Sequence, residues 1–241
     1  MAAVAVENWR QPHHFAPMGS HFYPVHPQLT PDFNIPPHNE REMSRDFLIT
    51  VLNFFASLLP LYFGNHQLRL VVHGGACMLL HPSLAQLAND QHYLAASSPA
   101  NSPHNVLPRR TSTRDVDYIR RMFVADCKDM GINNVTERIK HCIWLTAQHF
   151  ELGADWMNSD ADVALPMSVG ADGETCDPIY RAALDPNNIH RFTVFTSSNH
   201  KLTLVSVPPV WSVILKLVRY TKHDPGDICI LLRQVVARSK A

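Results

Sequence analysis

The sequence predicts an α+β domain, a mixed central sheet flanked by helices, and three observations lead to it. Helix-like and strand-like apolar patterns follow one another in the order helix, strand, helix, strand, helix. Two alternating segments, "HRFTVFT" and "KLTLVSV", then read as paired strands around "SSNH", and two apolar-faced segments close the chain. Apolar residues make up 46% of the 241, enough for a core, which excludes a wholly disordered chain.

Residues 1–40 are dense in Pro and His, as in "QPHHFAPMGSHFYPVHPQLTPDFNIPPHNE". Proline removes backbone donors and favours extended chain, so an irregular arm is expected there. Its histidines fit no spacing at which a rigid element would hold a metal. The domain is expected over 41–241. In its first helix, "REMSRDFLITVLNFFASLL", Ser44 serves as the cap and apolar residues face more than one side. The run Phe47–Phe63 is interrupted by Asn53, Ser57 and Pro60. It falls short of the roughly 20 apolar residues a bilayer needs, so it predicts a buried helix rather than a span.

"LRLVVH" is a short β-branched strand, and "ACMLLHPSLAQLA" a helix that Pro82 kinks or breaks. "NDQHYLAASSPANSPHNVLP" has loop composition, giving a loop insertion over 89–108. "RDVDYIRRMF" is expected as a strand. "NNVTERIKHCIWLTAQHFEL" spaces Val135, Ile139, Cys142, Ile143 and Ala147 at the helical period. "GADWMNSDADVALP" is a turn-rich connection. "PPVWSVILKLVRYTK" and "DPGDICILLRQVVAR" are closing helices, with Pro209 in a first turn and Asp227 near the start of the second.

Lys+Arg and Asp+Glu both number 21, so the chain has no net charge to gather nucleic acid or anionic membrane. Strong DNA binding and a membrane partner are therefore not expected. A local basic cluster stands at Arg109, Arg110, Arg114, Arg120 and Arg121. Five scattered cysteines without a C-x-x-C pair read as reduced thiols. The N-terminus has no apolar stretch of signal-peptide length, and a cytoplasmic location is expected.

The chemistry concentrates at two places. In "RLVVHGGACMLLH" a strand breaks at Gly74-Gly75 before a helix, where free backbone N–H groups and the helix dipole favour an anion. Glycine lets the backbone approach a phosphate without a Cβ in the way. In "RRTSTRDVDYIRR", Asp115 and Asp117 lie two apart on a strand and face the same side. Paired carboxylates repel unless a cation lies between them, and Mg²⁺ takes such hard oxygens together with water and substrate phosphates. A solvent-facing strand pair is the plain alternative for this Asp-Val-Asp.

Gly74-Gly75 at a strand-to-helix turn followed by "RRTSTRDVDYI" resembles the nucleotidyltransferase-like superfamily, in particular the branch of AbiEii-type toxins and their relatives. "DWMNSDA" is similar to a Trp-φ-Asn element of some relatives. "LKLVRYTKHDPGDICILL" is similar to the closing motif, with Lys216, Arg219, Asp224 and Asp227 at its positions. The resemblance covers about residues 65–235 and implies a nucleotidyltransferase-like fold. It implies Mg²⁺-dependent transfer of a nucleoside monophosphate from an NTP to a hydroxyl of a protein, small molecule or RNA end, with Mn²⁺ as a substitute ion. Asp115 and Asp117 would hold the metal as catalytic acids. Gly74, Gly75, Arg114, Arg219 and Asp227 would contact nucleotide, Lys216 would pair with phosphate charge, and Asp224 and Asp227 would complete the site or brace it.

Two departures stand out. The spacing between glycines and acids is long because of the 89–108 insertion. Many active members also carry a third carboxylate on a later strand, whereas "RFTVFT" and "KLTLVSV" contain no Asp or Glu. Asp224 could substitute, or the chain could be a catalytically silent nucleotide-binding or scaffold protein on the same fold. Asp155, Asp160 and Asp162 read as a capped, solvated loop rather than a second metal site. His141, His149 and Cys77 read as packed or surface side chains.

Overall fold

In the computed structural model, which describes residues 35–96, 110–170, 173 and 175–238, the chain joins the domain at Ile35. Residues 35–40, expected in the arm, belong to the domain. Pro36 O accepts from Ala154 N (2.8 Å), and the Asn39 side chain accepts from Gly153 N (3.1 Å) while donating to Arg114 O. Gly153 is obligatory here, since the His38–Asn39 backbone occupies the place of its missing Cβ. The rest of the arm, and positions 97–109 of the expected insertion, lie outside the described residues.

β1 (Met43–Ser44) pairs antiparallel with β3 (Ser112–Thr113). Ser44 then caps α1 (Arg45–Phe63), its Oγ accepting from Phe47 N at 3.4 Å. α1 is the one described helix long and apolar enough to cross a membrane. Leu48, Val51, Leu52, Phe55, Ala56, Leu59 and Phe63 are nevertheless buried in the protein core. Each of these side chains larger than alanine contributes about 1.5–3 kcal/mol on burial. Pro60 lies inside α1 and cannot donate to Ala56 O; Asn199 Nδ2 does so instead at 2.8 Å.

β2 (Leu68–His73) leads through Gly74 into α2 (Gly75–Leu80), and α3 (Pro82–Ala96) follows after a break at His81. The proline therefore separates two helices rather than kinking one, and residues 89–96, expected in the loop, are helical in α3. The strand expected over "RDVDYIRRMF" is only β4 (Val116–Tyr118); α4 (Arg120–Asp129) starts two residues later. The N-cap position of α4, Ile119, has no capping side chain. Asp162, far along the chain, accepts from Arg120 N and Arg121 N at 3.1 Å instead. A cap from so distant a residue leaves no local start signal.

α5 (Val135–Phe150) buries the expected face against α1. β5 (Met157–Asn158) follows, then a 3₁₀ turn (Asp160–Ala164) and a small hairpin of β6 (Ser168–Val169) and β7 (Thr175–Cys176). α6 (Pro178–Leu184), capped by Asp177, and α7 (Ile189–Phe192) precede β8 (Thr193–Thr196) and β9 (Leu202–Ser206). α8 (Pro209–Arg219) and α9 (Asp224–Arg238) close the chain and pack on each other.

The central sheet has the order β5-β4-β2-β9-β8. β2 runs parallel to β9 and antiparallel to β4, β4 is parallel to β5, and β8 and β9 form the expected antiparallel pair. The protein is thus a mixed α+β domain with a five-stranded mixed sheet and nine α-helices among its described residues.

Candidate functional site

The site lies where β2, β4 and β5 meet. Alternation along β4 buries Val116 and Tyr118, leaving Asp117 on the opposite face with Asp115 just before the strand. Register sets the neighbours of Asp117: His73 of β2 pairs with it on one side and Asn158 of β5 on the other. His73 Nδ1 stands 3.8 Å from Asp117 Oδ2. A row His73–Asp117–Asn158 therefore crosses three strands on one face.

The glycine turn closes against this row. Gly74 has φ 77° and ψ −152°, a region essentially reserved for glycine. A Cβ there would come within 3.0 Å of Asp117 Oδ2, a separation Cβ atoms do not keep. At Gly75 the space a Cβ would need is taken by Thr113 Oγ1 (2.6 Å) and Arg110 Nη1 (2.8 Å). Gly74 thus admits a side chain of β4 itself, and Gly75 admits side chains of the segment leading into it.

Asp115, Asp117, His73 and Gly74 share a cleft of about 440 Å³ with Asp155, Asn158 and Asp160. The opposite wall is apolar, with Trp211, Ile214, Leu215 and Val218 of α8, where Val218 is 80% exposed. Asp115 also lines a second hollow of about 450 Å³, walled by Gly75, Arg110, Thr113, Thr221, Lys222 and others. The two hollows meet at Asp115. Asp160 is exposed, and its carboxylate makes no hydrogen bond or ion pair with the described residues.

Lys216 lines the cleft, yet it is 3% exposed and its Nζ donates to Asp227 Oδ2 (2.7 Å) and Asp224 Oδ1 (3.2 Å). That uses two of the three ammonium donors. Asp224 and Asp227 are 0% and 2% exposed and line neither hollow. Arg110 Nε binds Asp227 Oδ2 at 2.9 Å, and Thr221 donates to Asp224 through its N–H (2.6 Å) and hydroxyl (2.8 Å). Of the two roles open to this acid pair, completing the site or bracing it, the geometry is that of bracing. Burial pulls the Asp224 carboxyl up, but the Thr221 bonds and the Lys216 charge outweigh it and hold it below its ordinary value.

Arg114 is exposed, lines the second hollow and donates to Glu42 Oε1 at 2.9 Å. The Arg219 side chain lies outside the described residues. Cys77, in the first turn of α2, is buried, which pushes its thiol up to about 12; the helix dipole does not activate it. Asp162 is the cap of α4, and Asp155 accepts from Asn39 N (2.6 Å). His73, Arg110 and Asn158 join the site only through sheet register and packing. Their local signals were "VVHGG", "RRTSTRD" and "DWMNSD".

Among the described residues no three His, Cys, Asp or Glu side chains converge as a ready metal cage. Of the four carboxylates lining the cleft, Asp115 and Asp117 stand two residues apart, while Asp155 is engaged by Asn39 and Asp160 lies at the rim. Such a pair suits Mg²⁺, which draws its remaining ligands from phosphate and water. No protein-family model, no curated protein and no solved structure matches this chain. Function is therefore read from the site itself.

Proposed function

We propose that the protein is a Mg²⁺-dependent nucleotidyltransferase on a nucleotidyltransferase-like fold, moving a nucleoside monophosphate from an NTP to a hydroxyl. The observation that carries the reading is the contact of the Gly74 turn with Asp117 inside a cleft that Asp115 also lines. Asp115 and Asp117 would hold Mg²⁺ (or Mn²⁺), which when bound neutralises phosphate charge. In the hollow beside Asp115 the cation available to the polyphosphate is exposed Lys222, since Arg110 is held by Asp227 and the Thr221 hydroxyl by Asp224. The apolar wall of α8 suits the nucleoside.

The acceptor oxygen attacks the α-phosphorus, the α–β bridging bond breaks, and pyrophosphate leaves. The acceptor proton passes to a carboxylate, for which Asp160 is the candidate base at the rim. An acid entering from the β5 side would supply the third carboxylate that the later strands lack. Lys216, held by Asp224 and Asp227, positions the wall of the cleft. The reading implies an intracellular setting, where NTP and Mg²⁺ occur together.

A second reading, a silent nucleotide-binding protein, draws on the absence of any Asp or Glu from β8 and β9. Thermal unfolding with ATP, GTP, CTP and UTP, with and without Mg²⁺, tests both. A nucleotide at 100 times its Kd adds about 2.7 kcal/mol, and Asp115→Asn or Asp117→Asn abolishes that gain. Transfer of α-³²P label to an acceptor, lost in Asp160→Asn, supports the enzyme. Stabilisation with no transfer to any acceptor supports the silent protein. No stabilisation by any nucleotide overturns both.

A further inference from the structure

On the far side of β5 from Asp117 lies another hollow, of about 500 Å³, within the size range of small-ligand pockets. Asp155, Asn158 and Asp160 line both this hollow and the acid cleft, so one wall is continuous between them. Its other side carries Tyr118, Trp144, Arg120 and Lys140. Trp144 on α5 is only partly buried, with the His141 ring tilted against it at 5.9 Å. A large ring left half in water is a surface on which a second ring gains burial and stacking.

The cations here differ from those beside Asp115. Arg110 and Arg114 are spent on Asp227 and Glu42. Nearby, Arg121 pairs with Asp177 and His38 with Asp155, but neither Arg120 nor Lys140 has an ion pair among the described residues. Lys140 is exposed and Arg120 half-buried, so both charges are open to an anion entering the hollow. An aromatic platform beside exposed Lys140 and beside Arg120, which has no ion pair although its charge also acts on Asp162, is the chemistry that binds a base with its phosphate, whatever the base.

We infer that this hollow binds a nucleoside phosphate, the base on Trp144 and the phosphate between Arg120 and Lys140. Resting on the nucleotidyl-transfer reading, this makes the acceptor a nucleotide whose hydroxyl reaches past Asn158 and Asp160 toward Asp115 and Asp117. The volume suits one nucleotide, which is either free or the 3′ end of a single RNA strand.

The test titrates the full chain, without NTP or Mg²⁺, with AMP and with a 5′-fluorescein-labelled octamer of riboadenosine bearing a free 3′ hydroxyl. Both bind the wild type if the inference holds. Trp144→Ala weakens binding about tenfold and Trp144→Phe restores most of it. Lys140→Gln and Arg120→Gln each weaken it several-fold and reduce its salt dependence, which Trp144→Ala leaves unchanged. Equal affinity for AMP and octamer identifies the free nucleotide as the source; tighter octamer binding with a steeper salt slope identifies the strand end.

Failure of both probes to bind, or binding indifferent to Trp144→Ala and Lys140→Gln, overturns the inference. NTP stabilisation with Mg²⁺, measured separately, keeps the two failures apart. If it holds while neither probe binds, only the acceptor inference falls. If it fails while the probes bind at Trp144, the cleft reading falls and the hollow stands as a nucleotide site.

Discussion

Replacing Gly74 by alanine tests whether the glycine turn exists to admit the acid. At φ 77° and ψ −152° an alanine backbone is strained, at a cost of about 1–3 kcal/mol. Its methyl would also press into the Asp117 carboxylate, inside 3.0 Å of Oδ2 and 3.5 Å from Cγ. Such overpacking typically costs about 1–3 kcal/mol more, because Asp117 must leave its place between His73 and Asn158. Gly74→Ala should therefore destabilise the protein by about 2–6 kcal/mol. In an Asp117→Ala background the nearest remaining Asp117 atom is Cβ at 3.9 Å, an ordinary contact, so only the backbone strain survives. Urea denaturation of wild type, both single variants and the double variant measures the difference. Gly74→Ala should cost at least about 1 kcal/mol less in the Asp117→Ala background. Equal costs in the two backgrounds, or a single-variant cost under about 0.5 kcal/mol, would refute the contact as the reason for the glycine.

The buried charge cluster and the thiols give further outcomes. Lys216→Met leaves Asp224 and Asp227 buried without their ammonium partner and should cost about 3–5 kcal/mol by denaturant titration, even with Arg110 retained. Asp224, held below its ordinary carboxyl value of 3.8 in the folded chain, contributes stability above that value and loses it as pH falls through the folded value. Asp224→Asn should accordingly flatten the acid limb of stability against pH, and an unchanged limb would contradict the pairing. In native protein near neutral pH, iodoacetamide should modify exposed Cys229 and spare Cys77, whose thiol burial raises to about 12. Rapid labelling of Cys77 without unfolding, seen by mass spectrometry, would show that the turn is open.

Elements with a local signature were legible. Ser44 followed by an apolar run marked α1, the β-branched "LRLVVH" marked β2, and the helical period marked α5. α4 was not legible, because its N–H groups are satisfied by Asp162 and it follows β4 with one residue between. Nor was the division of labour in the closing motif. "KLVRYTKHDPGD" does not say whether its acids face ligand or Lys216, and that is decided by burial at the junction of α8, α9 and Arg110.

By itself the sequence determined the α+β class and the order of its main elements. Each follows from backbone periodicity, which acts over a few residues. Tertiary structure alone decided that Asp117 lies between His73 and Asn158, that Lys216 is bound to Asp224 and Asp227, and that the acid cleft adjoins the hollow at Trp144. Strand register joins residues tens of positions apart, and the Lys216 pairs, though only 8 and 11 positions apart, are set by the packing of α8 on α9 and by Arg110 from 117 positions away, so no local pattern encodes which of them will meet.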